Sequence, residues 1–414
     1  MSIKDAQSPL SAAPAARTRH HQVVIVGGGS AGATVAARLC RALKEPDVAV
    51  IEPSDVHYYQ PLWTLVGGGV TNKETTRRRE ADVLPSKATL VRNAAKEFIP
   101  SENTVVLDDG SKVTYDYLVV AMGIKLNWTA IKGMSPDLIG QHGICSNYLY
   151  EGCEQTWKTL QAFKGGNAVF TMPVPPIKCA GAPQKIMYLA DDHFRRSGVR
   201  EKATVSFFCG APSIFSVKEY AETLAGIVQR KGIQTHFKYQ LAEIQPDSQT
   251  AIFHSTGEED PIEIHFDMIH ITPPQCAPDV LKGSPISDAG GWVSADKFTL
   301  QHPEFPNIFS LGDCSSLPTS KTGAAIRKQA PVVAENLMKT MRGEPTASFK
   351  RYDGYTSCPL VTGYGKLILA EFDYDLKPKE TFPFNQNKER WSMYQLKRHG
   401  LPALYWNGML KGRA

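Results

Sequence analysis

No C-x-x-C pair occurs in this 414-residue chain, although it carries eight cysteines. Zinc knuckles and thioredoxin-type motifs need that spacing, so both are excluded and no metal is expected. No window approaches the roughly 18 consecutive apolar residues of a membrane-spanning helix. The first 20 residues lack the apolar stretch of a secretory signal. They are rich in Ala, Ser and Pro and are expected to be disordered. Arg17 and Arg19 hint at a mitochondrial presequence, Asp5 and the short length argue against one, and a bacterial start fits as well. A long chain without a secretory signal does not use cysteines as a disulfide scaffold. Lone cysteines behave as small buried hydrophobes, the default for Cys40, Cys209, Cys276 and Cys314. The charge excess is only +5, and the single basic triplet, Arg77-Arg78-Arg79, sits between Glu74 and Glu80. No nucleic-acid partner is expected from such a surface. Repeats and internal low-complexity tracts are absent too. An apolar fraction of 42% with 21% charged residues describes an ordered globular chain, long enough for two or three domains.

What the chain does have begins at residue 22. Gln22-Val-Val-Ile-Val26 reads as a buried strand of a parallel sheet. Gly27-Gly28-Gly29-Ser30-Ala31-Gly32 follows, a G-x-G-x-x-G pattern, and Ala33 to Leu43 has helix composition. The next strand, Val48–Ile51, ends in Glu52, 20 residues past Gly32. Strand, glycine turn, helix and acid in this order predict a dinucleotide site. Gly27, Gly29, Ala31 and Gly32 approach the pyrophosphate, and Glu52 accepts from a ribose hydroxyl. A ligand-free glycine turn would leave Glu52 unexplained. Tyr117–Gly123 is a further short strand running into a glycine. Asn307-Ile-Phe-Ser-Leu-Gly312-Asp313, far downstream, resembles the second FAD signature of two-dinucleotide-domain flavoproteins. Those two pieces lie nearly 300 residues apart, so the cofactor domain is predicted to be interrupted by an inserted one.

The insert repeats the strand–loop–helix frame with different loop chemistry. Ala168–Met172 precedes Pro173-Val-Pro-Pro-Ile-Lys-Cys179-Ala-Gly-Ala-Pro183, and a helix is predicted over Gln184–Phe194. A loop that cradles phosphate must offer backbone N–H groups, and its prolines have none. The loop therefore disfavours a nicotinamide dinucleotide and offers a thiol. Further elements are predicted at 203–208, 218–230 and 232–237. Cys358, 179 residues from Cys179, is likewise followed by proline. The two form either a pair that switches between dithiol and disulfide or two unrelated buried thiols.

Five blocks resemble the sulfide:quinone oxidoreductase family, in the subgroup that includes the mitochondrial enzymes. They are Gly27–Gly32, Tyr58-Tyr-Gln60-Pro-Leu-Trp-Thr-Leu-Val-Gly67, Lys178–Leu189, Leu317-Pro-Thr-Ser-Lys-Thr322 and Tyr352–Tyr364. The resemblance covers about 22–410. It implies an α/β fold with two Rossmann-like dinucleotide-binding-type domains, the FAD domain discontinuous (21–135 and 265–349). The second domain would span 136–264 and carry Cys179. A C-terminal membrane-docking segment, 350–414, would carry Cys358. It implies FAD, bound by the fingerprint residues together with Gln60, Gly123, Gly312, Asp313, Lys321 and Thr322. It implies that hydrosulfide attacks Cys358 in a Cys179–Cys358 disulfide, or a sulfur-bridged version of one, while Cys179 faces the flavin. Electrons would go to a ubiquinone-type membrane quinone, and sulfur to an acceptor such as sulfite or glutathione. Other branches of the family carry a third cysteine. Cys145 falls near that place, with Cys153 close by, and is more readily a bystander.

Lys321 precedes an alanine-rich helix expected over 322–341, with Thr319 or Ser320 as N-cap. The helix dipole and the lysine would together favour negative charge on a bound flavin, against the bland reading of a surface lysine at a cap. Residues 388–414 interleave aromatics with Lys and Arg, a composition suited to a lipid headgroup interface, a self-packed helix or a homodimer contact. With a quinone substrate, peripheral docking leads: on a bacterial cytoplasmic membrane, or alternatively the mitochondrial inner membrane. Competing readings are a type II NADH:quinone oxidoreductase, a sulfide dehydrogenase passing electrons to a cytochrome, and a non-enzymatic flavoprotein sensor.

Overall fold

The computed structural model describes residues 18–414. The first strand is Thr18–Val26, starting three residues inside the stretch expected to lack order; residues 1–17 of that stretch lie outside the described residues. Its last four residues are buried on both faces, which a parallel sheet covered on each side requires. In sheet order the neighbours are Ala88–Val91, Val48–Ile51, Thr18–Val26 and Lys112–Val120, all parallel. Thr104–Leu107 and Ala95–Ile99 continue the sheet antiparallel along the start of Lys112–Val120. Ile308–Ser310 pairs in parallel with the end of that strand, at Leu118–Val120. A strand from beyond residue 300 thus completes a sheet begun at residue 18.

The inserted unit has its own parallel sheet, in the order Ile144–Cys145, Met268–His270, Gly166–Met172, Ala203–Cys209, Gln234–Phe237. Met268–His270 belongs to it although the insert was expected to end at 264, because this strand lies between two others of the same sheet. Three antiparallel strands, Tyr239–Gln245, Thr250–Ser255 and Ile262–His265, make a separate small sheet.

A hairpin, Thr356–Gly363 with Lys366–Phe372, lies between the two domains. Cys358, Leu360, Ile368, Ala370 and Phe372 enter the core of the insert, whereas Val361, Leu367 and Leu369 enter the core of the first domain. Alternation along a strand sends its two faces to two different cores. The chain then forms a helical run, Trp391–Gln395 and Leu401–Asn407, joined by a π-helical turn at Leu396–Gly400. No helix of the described residues is long and apolar enough to cross a membrane.

The tail does not present its aromatic face to solvent. Met393, Tyr394, Tyr405, Trp406, Met409 and Leu410 are buried in the first domain's core. Tyr405 Oη sits 2.7 Å from Ser30 Oγ at the start of the fingerprint helix and 2.5 Å from His57 Nε2. Self-packing, one of the alternatives for this composition, claims most of that apolar surface. Trp391, 68% exposed, is the large aromatic left outside.

Candidate active site

The fingerprint turn has the backbone that the glycines predict. Gly27 has φ +102°, and a Cβ there would lie 2.5 Å from Ala121 O; one on Gly32 would lie 1.8 Å from Gly27 O. Neither position admits a side chain. At Gly29, which precedes the helix Ser30–Ala42, and at Gly123, a Cβ would meet nothing within 4 Å, so the backbone there faces open space. Glu52 accepts from Gly28 N–H and Ser54 N–H, each at 2.8 Å, and burial raises its pKa. Its carboxylate closes the turn.

The two cofactor pieces meet in space: a Cβ on Gly312 would lie 3.2 Å from the Ala31 side chain. Asp313 is pushed up in pKa by burial, and its Oδ1 has no partner among the described residues. A cleft lined by Gly312, Asp313, Ser320, Thr322 and Gln329 runs beside it. Paired glycine cradles and an orphaned carboxylate oxygen fit an extended dinucleotide lying across both segments.

The helix after Lys321 runs Gly323–Met341, and its N-cap is Thr322, whose hydroxyl accepts from Ala325 N–H; Thr319 and Ser320 lie outside it. Lys321 is turned inward. Its ammonium donates to the carbonyls of Asp313 (2.6 Å) and Ser315 (3.1 Å) and lies 4.1 Å from the Trp292 ring centroid. Burial lowers its pKa. Its backbone carbonyl accepts from Cys179 N–H at 2.8 Å. Next door, Thr322 Oγ1 lies 2.9 Å from Thr356 Oγ1, two residues before Cys358. One short segment therefore pins both cysteine-bearing pieces.

Cys179 Sγ and Cys358 Sγ lie 3.4 Å apart. Cys358 is buried on its strand and Cys179 is half-buried in its loop. A Cβ on Gly181 would lie 2.5 Å from Cys358 Sγ, so the glycine makes room for the second sulfur. Lys185, one turn into the helix Ala182–Arg196, donates to Cys179 Sγ at 3.2 Å. The Cys179 thiol is held well below its ordinary pKa, first by the hydrogen bond with Cys358 and, against burial, by the Lys185 and Lys397 charges. Cys358 is correspondingly raised, first by that same bond and then by burial. Of the two sulfurs, Cys179 is the one whose thiolate form is favoured. Burial pulls Lys185 down, but the Cys179 and Cys358 sulfurs bring it to about 12. Lys397 sits in the π-helical turn and donates to Pro61 O at 2.6 Å; burial, then Lys185, lower it to about 7. Lys178 donates to Gln60 Oε1 at 2.6 Å, and burial lowers it to about 8.

Sequence reasoning did not assign Lys185 or Lys397 to this site. Lys185 lies six residues past Cys179 on a helix, a signal that could have found it. Lys397 was grouped with the basic residues of the tail, and nothing in its neighbourhood marks it as internal. Cys145, in contrast, is fully buried in a strand, with its thiol pushed up to about 12 by burial. No hydrogen bond or sulfur contact among the described residues ties it to Cys179 or Cys358.

Glycine cradles and a close cysteine pair in one chain suit a redox protein that uses a flavin, and the family model for pyridine nucleotide-disulphide oxidoreductases matches residues 21–157. The mitochondrial sulfide:quinone oxidoreductase of Mus musculus is 46% identical over 396 residues, covering 95% of this chain and 87% of that protein. The Dictyostelium discoideum mitochondrial enzyme is 45% identical, covering 92% and 84%. The chain belongs to the sulfide:quinone oxidoreductase family and is an oxidoreductase. The crystal structure of the Aquifex aeolicus sulfide:quinone oxidoreductase has the same fold, with a TM-score of 0.81 at 20% identity, covering 95% of this chain and 92% of that one.

Proposed function

We propose that the protein oxidises hydrogen sulfide at the Cys179–Cys358 pair and delivers two electrons, through FAD, to a membrane quinone. The observation that carries this reading is the 3.4 Å approach of the two sulfurs, with Lys185 on Cys179. FAD, when bound, supplies a two-electron carrier between sulfur and quinone. Gly27, Gly29, Ala31, Gly32 and Glu52 would hold its adenosine diphosphate half, with Gly123, Gly312, Asp313 and Thr322 along the rest. Lys321 would shape that wall through its two carbonyl contacts, and Gln60 would act through Lys178.

In the oxidised enzyme the two cysteines form a disulfide. Hydrosulfide attacks Cys358 Sγ: a new S–S bond forms there, the Cys179–Cys358 bond breaks, and the pair of electrons leaves on Cys179 as a thiolate. Exchange favours a leaving thiol of low pKa, and Lys185 and Lys397 lower that of Cys179. Cys358 is left carrying a persulfide. A nucleophilic acceptor such as sulfite or glutathione removes the outer sulfur. The disulfide re-forms once two electrons have passed on, and the quinone leaves as quinol with two protons.

The proline-rich loop Pro173–Pro183 argues against NADH as donor. A peripheral location at a membrane surface fits a quinone substrate; the relatives named above are mitochondrial, which favours the mitochondrial inner membrane over a bacterial one. Anaerobic titration tests the reading. Sulfide should bleach the flavin band of the wild type and leave that of Cys179→Ser unchanged. Bleaching by NADH but not by sulfide would reverse it.

A further inference from the structure

Four lysines converge between the cofactor cradle and the cysteine pair, and three of them hold groups of the fold or the sulfur itself. Lys321 holds the carbonyls of Asp313 and Ser315, Lys397 holds Pro61 O, and Lys185 holds Cys179 Sγ. Lys178 is different. Its ammonium donates to Gln60 Oε1 at 2.6 Å and to no other group among the described residues. An ammonium has three N–H donors, so two remain unspent.

Those donors are not sealed inside the protein. Lys178 is half-buried and Gln60 is exposed. The rings of Trp63 and Tyr148 flank the ammonium, with centroids at 5.9 and 5.8 Å. They hold a cation in place without consuming a donor. Gln60 opens the short turn Gln60–Leu62 of the first domain, so this contact carries the side chain out of the insert toward the domain of the glycine cradles.

The main chain fixes the direction. Lys178 N–H donates to Gln275 Oε1 at 2.9 Å, and Cys179 N–H donates to Lys321 O at 2.8 Å. Residues 178 and 321 pair as a parallel bridge. Lys178 therefore lies alongside the segment that carries Gly312, Asp313 and Thr322, with the reactive sulfur as its chain neighbour.

Asp313 is close enough for its charge to favour the ammonium, yet the two form no ion pair among the described residues. The Gln60 amide is neutral, so the positive charge is uncompensated at hydrogen-bond range. Burial lowers the pKa of Lys178 only to about 8, which leaves it charged at pH 7. A flavin that takes up two electrons and one proton gains a negative charge, and a fixed cation beside the ring favours that state.

We propose that the Lys178 ammonium is the cation that faces the ring of bound FAD and raises its reduction potential, with Gln60 as its positioning residue. Lys321, which the sequence singles out for that part, is spent on two carbonyls. The inference rests on the FAD-dependent reading and deepens it.

The test is the two-electron potential of the bound flavin, read from its absorbance at pH 7 against a reference dye, in the holoenzyme without sulfide or quinone. Lys178→Met should disfavour reduced over oxidised flavin about tenfold, a fall of about 30 mV. Lys178→Arg keeps the charge and should stay near the wild-type potential. An unchanged potential in Lys178→Met at full flavin content overturns the proposal. An equal fall in Lys178→Arg does so too, because packing rather than charge would then be at work. If Lys178→Met purifies without flavin, FAD affinity is measured for both variants. Loss in Lys178→Met with retention in Lys178→Arg supports the charge, and loss in both overturns it. A wild type that holds no flavin, or whose flavin sulfide fails to bleach, would instead remove the parent reading, which separates the two.

Discussion

The chemistry at the residue scale turns on one thiol, which the Cys358 hydrogen bond and nearby lysine charges favour as thiolate and burial opposes. A cation at 3.2 Å favours thiolate, and Lys185 is the cation that touches Cys179. Lys185→Met should raise the Cys179 pKa toward that of an ordinary thiol. The thiolate of the wild type persists to low pH and is lost only as pH falls through its depressed value. In the variant the loss should begin at higher pH, so iodoacetamide alkylation of the reduced enzyme at pH 7 should slow roughly tenfold, in line with the range over which local charge tunes cysteines. An unchanged alkylation profile would detach Lys185 from Cys179. Lys397 works with the opposite sign on stability. Its pKa falls from 10.5 unfolded to about 7 folded. Between those values the unfolded chain binds the proton that the fold has released, so stability rises with pH there. Below pH 7 the folded chain carries a buried ammonium at full cost. Lys397→Met should therefore raise Tm relative to wild type more at pH 6 than at pH 9, checked by thermal unfolding at both.

Elements matter here as devices for placing two sulfurs. The strand of Cys358 crosses the N-terminus of the helix Ala182–Arg196, and contact is possible only because residue 181 has no side chain. Gly181→Ala should push Cys358 away from Cys179 while leaving the distant fingerprint intact. Displacement by about 1 Å commonly costs roughly a hundredfold in rate. Normal flavin content with sulfide-driven flavin reduction slowed by about that factor is the expected result; full activity would show that the hairpin yields. The π-helical turn at Leu396–Gly400 does comparable work, since it carries the residue whose ammonium reaches Pro61 beside the site. Such turns recur at functional positions because they re-aim a side chain without ending the helix.

For the whole molecule, the tail changes the picture of how a membrane could be met. Its aromatics close the first domain's core, so the surface left for lipid is narrower than the composition of 388–414 implies. Trp391, 68% exposed beside exposed Lys388 and Arg398, is the strongest remaining anchor. Aromatic rings with basic neighbours settle at headgroup depth. Trp391→Ser should weaken co-sedimentation with anionic vesicles without altering sulfide-driven reduction of the flavin. Equal sedimentation would move the docking surface elsewhere. The burial of Tyr405 against Ser30 and His57 also ties the far end of the chain to its beginning, which no local composition could announce.

Much of this was legible without coordinates, because local rules govern it. A turn that tolerates no Cβ must be glycine, and a loop with three prolines in four residues cannot offer N–H groups. The strands and helices expected around Gly27 and Cys179 follow from such constraints, and their observed limits differ mainly at the ends. The helix cap moved from Thr319 or Ser320 to Thr322 because several hydroxyls in one stretch compete, and packing against Thr356 selects among them. Lys321 is expected beside a cofactor; its ammonium holds two carbonyls, a contact that spacing does not reveal. Period and spacing report which residues share a face, not what the face meets. Whether Cys179 and Cys358 touch, whether Lys397 is inside, and whether the tail's aromatics see solvent all depend on contacts between segments remote along the chain. Sequence therefore determined the turns and the parallel-sheet plan and singled out two cysteines near prolines, since backbone geometry and side-chain chemistry are local. Tertiary structure alone decided their meeting, the lysines that polarise them and the fate of the tail, because proximity through space is set by the whole packed core.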